Sequence, residues 1–498
     1  MASNKEPSGK EPSGRKPWVN WVLFLATVII VFILGIFAAS IVERRSEAQL
    51  YFQMVHPIPE FEPRNYIWGE NFPRQYESYV RTMDTTFESR YAGSTHVQYL
   101  DRHPEMVIMW AGYAFSFDYE QARGHYYSVT DIHRTLRTTI PQPATCWTCK
   151  STDVPRMMDQ LGVGEFYNST WEELGSEVVN HIGCQDCHDP ETMNLRITRP
   201  ALIEAWERRG EDIRQATHQE MRSLVCAQCH VEYYFRTGDR YLMFPFDHGF
   251  TAEAMEYYFD SLDFADWTHA LSRAPMVKAQ HPDYELYRTG IHAARDVSCA
   301  DCHMPYRREG GIKFTNHHLR SPLADIAGSC QVCHRESEED LRNIVYDRQD
   351  KVFELRRRAE RNLATLHLEA AVAWEAGAVD EEMEEILQLI RRSQWRWDWV
   401  AAANGYGFHS PAESLRVLGT SIDMSQEARV LLSHVLARYG VNQPVEIPQF
   451  NTMAEAQEVL GLDMDEIRRR NRVFLEEVAP AWLEEAEARE EAYPHIQR

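Results

Sequence analysis

Ten cysteines occur in five C-x-x-C pairs, and no cysteine is left outside a pair. Four pairs are followed directly by a histidine. C-x-x-C-H is typical of covalent c-type haem attachment, in which both thiols bond the haem and the histidine binds its iron. A zinc ribbon, redox pairs or disulfides could explain one copy, but four copies with no spare cysteine disfavour them. The predicted attachment residues are Cys184, Cys187 and His188; Cys226, Cys229 and His230; Cys299, Cys302 and His303; and Cys330, Cys333 and His334.

The first pair, Cys146 and Cys149, is followed by Lys150 in place of histidine. A lysine binds iron only as the neutral amine, so the iron must displace its proton. The alternative is a haem-free thiol pair beside a solvated lysine, which the four neighbouring motifs disfavour. Iron that binds substrate needs an open sixth position, whereas iron that only passes electrons is best ligated on both faces. The sequence therefore predicts five haem c groups, with multi-electron chemistry at the one beside Lys150.

The overall charge excludes one broad class of partner. The 498 residues carry a net charge of −23, and the isoelectric point is near 5.4. A chain this acidic is a poor candidate for wrapping nucleic acid. An anionic ligand must therefore be attracted by a local basic pocket.

The N-terminus predicts attachment to a membrane. Residues 1–17 form a basic tail, which predicts a cytoplasmic location for that end, and residues 18–42 form the predicted transmembrane anchor. The stretch from Val22 to Val42 has no charged residue and is long enough to span a bilayer as a helix. A cleaved signal peptide is the alternative, because Ala38-Ala39-Ser40 resembles a cleavage site. In the anchor interpretation the body of the protein lies on the periplasmic side of the inner membrane.

The rest of the chain divides by composition into a linker (residues 43–65), a five-haem catalytic core (66–335) and a helical region (336–498). The predicted class is mainly α, with haems packed into the core and long C-terminal helices. One apolar stripe predicts a long helix that Gly377 ends, and Met383, Ile386, Leu387 and Ile390 mark a second helix that ends near Trp395, Trp397 and Trp399. Further helices are expected over Ala428–Arg438 and over Met464–Glu487. The helices could cover the haems or form a dimer interface. The stripe residues are Val352, Leu355, Ala359, Leu363, Leu366 and Ala370.

C-x-x-C-K followed by four C-x-x-C-H motifs resembles the pentahaem cytochrome c nitrite reductases, over residues 66 to about 420. The resemblance implies an ammonia-forming nitrite reductase that takes electrons from a membrane quinol-oxidising multihaem cytochrome or from a soluble cytochrome. It also implies a homodimer formed through the long helices. Hydroxylamine, nitric oxide or sulfite are possible further substrates. The non-enzymatic alternative is a membrane-attached electron wire, in which every iron is ligated on both faces.

The same resemblance implies a Ca²⁺ site and a substrate pocket. Calcium would be bound by the Glu232 carboxylate, the Tyr233 and Lys278 carbonyls and the Gln280 side-chain oxygen, which are hard donors that suit this ion. Arg137, His281 and the Tyr233 phenol would face the open haem. Arginine and histidine offer positive charge and donors to an oxyanion, and tyrosine and histidine can pass protons.

Four distal histidines are implied in the same way. His125 would face the third haem in chain order, His292 the fifth, His317 the second and His409 the fourth. His318 is the competitor of His317, because the two are adjacent. Since His409 lies in the helical region, that region must fold back onto the haem core. The histidines expected to be exposed and without a role are His56, His96, His103 and His495.

Overall fold

The computed structural model describes residues 16–50, 54–91 and 93–493, with no side-chain description at 17 and 43–50. It contains two units, Met1–His56 and Pro57–Arg498. Most of the predicted basic tail, residues 1–15, lies outside the described residues, as does His495. Within the described residues the chain is mainly helical, as predicted.

The α-helices of the described residues are α1 (Pro17–Leu50), α2 (Asn65–Asn71), α3 (Pro73–Val80), α4 (Tyr99–Arg102), α5 (Glu105–Met109), α6 (Ser128–Arg134), α7 (Val154–Leu161), α8 (Val163–Asn168), α9 (Cys184–Cys187), α10 (Pro200–Arg208), α11 (His218–Ala227), α12 (Ala252–Ser261), α13 (Asp283–Arg288), α14 (Cys299–His303), α15 (Ile326–Ser329), α16 (Glu338–Ala376), α17 (Asp380–Ala401), α18 (Pro411–Arg438), α19 (Met453–Val459), α20 (Met464–Val473) and α21 (Ala479–Glu491). The 3-10 turns are Arg81–Met83, Ala114–Ser116, His125–Tyr127, Leu136–Thr139, Ala144–Trp147, Gly175–Glu177, Ile213–Gln215, Ala293–Arg295 and Pro322–Ala324.

In the part of the chain that the structure describes, six short strands pair as antiparallel hairpins. They are β1 (Tyr234–Phe235) with β2 (Leu242–Met243), β3 (Trp267–Thr268) with β4 (Pro275–Met276), and β5 (Tyr306–Glu309) with β6 (Ile312–Thr315). In register, Tyr234 lies opposite Met243, Trp267 opposite Met276, and Tyr306 opposite Thr315.

The first unit contains α1. Its segment Trp18–Val42 has 25 residues with a mean hydropathy of 3.0, and none of it is buried within the protein. By length and composition it could cross a bilayer, and a signal sequence would meet the same criterion. The helix continues to Leu50, into the region predicted as a linker.

The later part of the predicted linker is packed into the second unit. The Arg64 guanidinium makes a bidentate pair with the Glu62 carboxylate, at 2.6 Å and 2.7 Å, and both side chains are almost fully buried. Such a pair combines charge with fixed geometry. Residues 62–64 therefore belong to the folded unit.

Three long helices form the C-terminal part, and α18 packs along both α16 and α17. The Ser337 side chain caps the start of α16, and Gly377 ends the helix with a φ of 105°, which favours glycine. Of the predicted stripe, Leu355 is partly exposed and the other members are buried. Gly377 as the helix end is thus confirmed.

Two predicted helices have different bounds. The helix predicted over Ala428–Arg438 begins at Pro411, because the buried face of its first half contains serines that hide the apolar pattern. One of them, Ser421, donates to the Ser393 carbonyl of α17 at 2.7 Å. The helix predicted over Met464–Glu487 is interrupted by a π-helical turn, Phe474–Val478, just before Pro480, which lacks a backbone N–H.

Candidate functional site

The five cysteine pairs lie on short helical turns or directly beside them, and none of the ten cysteines is joined to another in a disulfide. One helical turn places residues i and i+3 on the same side, so both thiols of a pair can reach one ligand. The Cys149 thiol contacts that of Cys229, and the Cys226 thiol contacts that of Cys299. The first, third and fourth pairs are therefore immediate neighbours in space.

The histidine after each of three pairs lies opposite a second histidine from a distant part of the chain. The ring centroids are 6.2 Å apart for His188 and His317, 6.3 Å for His303 and His409, and 6.3 Å for His334 and His292.

The fourth such histidine, His230, lies close to His125. Burial, followed by the charge of His230, lowers the pKa of His125 to about 4. His318, the alternative to His317, lies instead beside the charges of Arg320 and Asp84. The structure thus places His317, His409, His292 and His125 each near a different motif histidine, and their roles as haem ligands stay predictions.

The spacing of these rings fits the insertion of an iron between them. A ring nitrogen lies about 1 Å from its ring centroid, and a metal–nitrogen bond is about 2 Å long. Two facing rings on one metal would therefore have centroids about 6 Å apart. Rings in direct packing contact could approach more closely, so the gap matches a haem iron bound on both faces.

Lys150 follows its cysteine pair in a different setting. Its charge acts on the ring of His281 and on the thiols of Cys146 and Cys149, so its amine lies near all three. The side chain is partly buried and makes no ion pair with any described residue. His281 is thus the neighbour of Lys150 in this pocket. Tyr233 lies in the same pocket, with its ring centroid 6.4 Å from that of His281.

Burial sets the protonation of the pocket side chains. Burial, followed by the charge of Lys150, lowers the pKa of His281 to about 3. Burial also holds the pKa of the Tyr233 phenol well above its ordinary value. At neutral pH the imidazole is therefore neutral and the phenol protonated, so both carry a proton that they can donate.

Arg137 supplies positive charge to this pocket. Its Nε donates to Thr135 Oγ1 at 3.0 Å and lies 3.7 Å from the Asp118 carboxylate. The guanidinium carbon is 4.4 Å from the centre of the Phe115 ring. The charge of Arg137 favours the ionised form of the Cys146 thiol, so the guanidinium lies near the first cysteine pair.

The backbone around Lys150 is held by side chains from elsewhere in the chain. Arg199 is fully buried, and it donates to the carbonyls of Thr148 at 2.7 Å and Ser151 at 2.9 Å. Its Nη2 also pairs with Asp186, inside the second cysteine motif, at 2.6 Å. Ser128 Oγ donates to the Lys150 carbonyl at 2.7 Å. The segment is thus tied to the second motif, and nothing in the local sequence indicated Arg199.

The segment that leads to His281 is held by three carboxylates, of which Asp398 and Glu232 are buried and Asp266 is partly buried. The backbone N–H of Lys278 donates to Asp266, that of residue 279 to Asp398, and that of Gln280 to Glu232, at 2.8, 3.1 and 2.6 Å. The Lys278 ammonium pairs with Asp398 at 2.9 Å. These bonds fix the backbone next to the pocket.

The predicted calcium donors meet beside this segment. Glu232 is fully buried, its Oε1 has no hydrogen-bond partner among the residues that the structure describes, and burial raises the pKa of its carboxyl well above its usual range. Glu285, whose Oε2 is also unpartnered, accepts from the Glu232 N–H at 2.8 Å, and burial raises the pKa of Glu285 to about 8. The side-chain Nε2 of Gln280 donates to the Lys278 carbonyl at 3.2 Å. A hard cation bound by these oxygens would satisfy the buried carboxylate, so the donor set fits calcium.

One of the histidines predicted to be exposed is buried. His103 is 2 % exposed, and its Nδ1 lies 3.0 Å from Glu360. The prediction was wrong because α16 covers this part of the chain, which no local pattern shows. Of the others, His96 is exposed and His56 is partly buried.

Comparisons with known proteins agree with this geometry. The family model described as cytochrome c552 matches residues 65–491. Cytochrome c-552 of Bacteroides fragilis is 54 % identical over 479 residues, which are 95 % of this chain and 97 % of that protein. Cytochrome c-552 of Aliarcobacter butzleri is 41 % identical and covers 93 % of this chain and 95 % of its own length.

The fold matches a solved structure of the catalytic subunit of cytochrome c nitrite reductase from Desulfovibrio desulfuricans, in which two calcium sites are described. The TM-score is 0.73 at 32 % identity, and the match covers 82 % of this chain and 91 % of that one. The chain therefore belongs to the cytochrome c552 family and is a c-type haem protein.

Proposed function

We propose that this protein is an ammonia-forming nitrite reductase that carries five haem c groups and one functional Ca²⁺ site. The observation that carries the proposal is the contrast between the cysteine pairs. Four are followed by a histidine that lies near a second histidine, whereas the pair at Lys150 has Arg137, Tyr233 and His281 beside it. The proposed axial pairs are His188 with His317, His230 with His125, His303 with His409, and His334 with His292.

The haem at Lys150, when bound, would supply an open coordination position on iron for nitrite and a path for electrons. Reduction of nitrite to ammonium consumes six electrons and eight protons and releases two waters, so the pocket must also deliver protons. The Arg137 guanidinium attracts the anion and donates to its oxygens. The neutral ring N–H of His281 and the Tyr233 hydroxyl hold protons at the positions where N–O bonds break.

Calcium would act through the backbone that carries these groups. Glu232 is joined to Tyr233 in sequence, and it also accepts from the backbone N–H of Gln280, next to His281. A cation on the Glu232 carboxylate would therefore fix both pocket side chains at once. Residues that hold the pocket side chains without contacting the substrate themselves are expected to affect the activity in this way.

The surroundings of the enzyme are part of the proposal. The apolar segment of α1 supports a membrane anchor with the body of the protein in the periplasm. Electrons would come from a membrane quinol-oxidising multihaem cytochrome or from a soluble cytochrome. A homodimer formed through the long helices α16 and α18 is part of the proposal and rests on the resemblance to the pentahaem nitrite reductases. Hydroxylamine, nitric oxide and sulfite share small size and a reducible central atom with nitrite, and are proposed as secondary substrates.

The first test is spectroscopic and uses the full-length protein with its haems attached. The oxidised protein should show one high-spin haem whose spectrum changes when nitrite is added, and four low-spin haems that do not respond. Five low-spin haems without a nitrite response would support the electron wire and refute the proposal.

The second test replaces Lys150 with histidine. Changing a group that only orients a metal ligand costs about 10- to 100-fold in activity, so Lys150→His should lower the rate of ammonium formation at least about tenfold. Haem content, measured by mass spectrometry, should stay at five. Lys351→His is the matched control, because Lys351 is an exposed lysine of α16. Equal nitrite turnover in the two variants would contradict a special role for Lys150.

A further inference from the structure

The histidines of the C-x-x-C-H motifs differ in what their Nδ1 atoms contact. His188 Nδ1 lies 2.9 Å from the Met193 carbonyl, and His303 Nδ1 lies 3.0 Å from the Arg320 carbonyl. Both partners are neutral backbone oxygens. When the other ring nitrogen binds a metal, Nδ1 carries the proton and donates it to such an acceptor.

His230 has a charged partner instead. Its Nδ1 lies 3.3 Å from Oδ2 of Asp283, whose side chain is only 10 % exposed. His334 also has a carboxylate nearby, but Glu336 is 3.9 Å away and half exposed. Water screens an exposed charge far more than a buried one. Among these four histidines, His230 is therefore the one whose ring donates to a buried carboxylate.

Asp283 is held in place from the opposite side. The Asn404 backbone N–H donates to Asp283 Oδ1 and the Asn404 side-chain amide donates to Oδ2, each at 2.7 Å. Asn404 lies between α17 and α18, so the C-terminal helical region positions this carboxylate. Asp283 is also the first residue of α13 and lies two residues after the pocket residue His281. The carboxylate cannot turn away without losing both bonds.

The neighbour of this group is the Lys150 site. The thiols of Cys149 and Cys229 are in contact, so the haem attached before His230 would lie directly beside the one attached before Lys150. With haem bound at both sites, electron transfer from the His230 site to the Lys150 site would be driven by the difference between their two reduction potentials. A change in the potential at the His230 site would therefore change this driving force.

We propose that Asp283 tunes the His230 haem: by accepting the Nδ1 proton of His230 it makes the ligand more basic, favours the ferric state and holds this haem at a lower reduction potential. This inference rests on the haem ligation in the proposed function. A hydrogen bond accepted from an axial histidine is an established means of setting the reduction potential of a haem. Asp283 is thus a positioning and tuning residue, which acts on the reacting centre through His230.

The test is a potentiometric titration of the full-length protein with its haems, followed by electron paramagnetic resonance to separate the low-spin haems. In Asp283→Asn, one low-spin haem should shift to a higher potential while the others keep theirs. Glu336→Gln is the matched control: it removes the same charge near another motif histidine, at an exposed position, and should shift no haem by a comparable amount. Equal shifts in the two variants, or no shift in Asp283→Asn, would overturn the inference.

Asn404→Ala is a second variant, which keeps the Asp283 carboxylate and provides the test if Asp283→Asn fails to fold. It leaves the carboxylate and the backbone hydrogen bond to it but removes the side-chain donor to Oδ2, the oxygen that contacts His230, so the reduction potential of the same haem, and of no other, should change. An unchanged potential of that haem in Asn404→Ala, or an equal change at the other haems, would refute the inference. Failure of the proposed function is distinguishable, because a shifted potential without ammonium formation would retain the tuning and reject the reductase.

Discussion

Replacing Arg199 with methionine is expected to destabilise the protein strongly. The Arg199 side chain is 0 % exposed, its partner Asp186 is 4 % exposed, and they are 2.6 Å apart. Methionine fills similar space but leaves Asp186 as a buried carboxylate without its cation, and it removes donors from the carbonyls of Thr148 and Ser151. Removing one partner of a buried ion pair costs about 3–5 kcal/mol.

That free energy converts into a measurable shift in unfolding temperature. Unfolding entropy near 60 °C is about 2.1 cal/mol/K per residue, which gives about 0.9 kcal/mol/K for a folded unit of about 440 residues. Arg199→Met should therefore lower the unfolding temperature by about 3–5 °C, measured by calorimetry on protein with its haems attached. The unfolding temperature of Arg199→Lys should lie between those of Arg199→Met and the native protein, since lysine keeps the charge but not the planar guanidinium.

The control is an arginine in a surface pair. The Arg214 side chain is 76 % exposed and lies 2.8 Å from Asp212, so Arg214→Met should leave the unfolding temperature unchanged. If Arg199→Met unfolds within 1 °C of that control, the reasoning that Arg199 holds the Lys150 segment through a buried ion pair is refuted.

Two further predictions concern calcium and pH. A chelator should lower the unfolding temperature of the native protein but have no further effect on Glu232→Gln, which lacks the carboxylate that needs a cation; equal chelator effects in both would contradict the calcium site. His367 stacks on His269 with ring centroids 3.6 Å apart, and burial lowers the pKa of His367 to about 4. Since the ordinary pKa of histidine is about 6.5, His367 binds a proton more tightly in the unfolded chain than in the folded one. The stability that this difference contributes, up to about 3 kcal/mol, is therefore complete above pH 6.5 and is lost as the pH falls towards 4. His367→Gln should lose less stability than the native protein between pH 7 and 4.5, measured by calorimetry, and parallel pH profiles would refute this.

Much of the fold class was predictable because its signals are local. The stripe on α16 repeats within one helix, and Gly377 ends that helix by its own backbone preference. The early start of α18 was not predictable in this way. Serines such as Ser421 are polar in composition and become part of the core only because a carbonyl of α17 lies within hydrogen-bonding distance.

The sequence by itself determined where haem can be attached and that one motif differs from the rest. Covalent attachment needs two thiols and a ligand within five consecutive residues, so Cys146, Cys149 and Lys150 identify their site without any knowledge of the fold. What lies on the other side of each site depends on residues far away in the chain.

Only the tertiary structure decided which arginine holds the Lys150 segment and which carboxylate contacts His230. Arg199, Asp283 and Asn404 carry no motif, because a hydrogen bond requires only that two atoms meet in space. Packing of the helical region against the core brings those atoms together, and local residue patterns do not encode that packing.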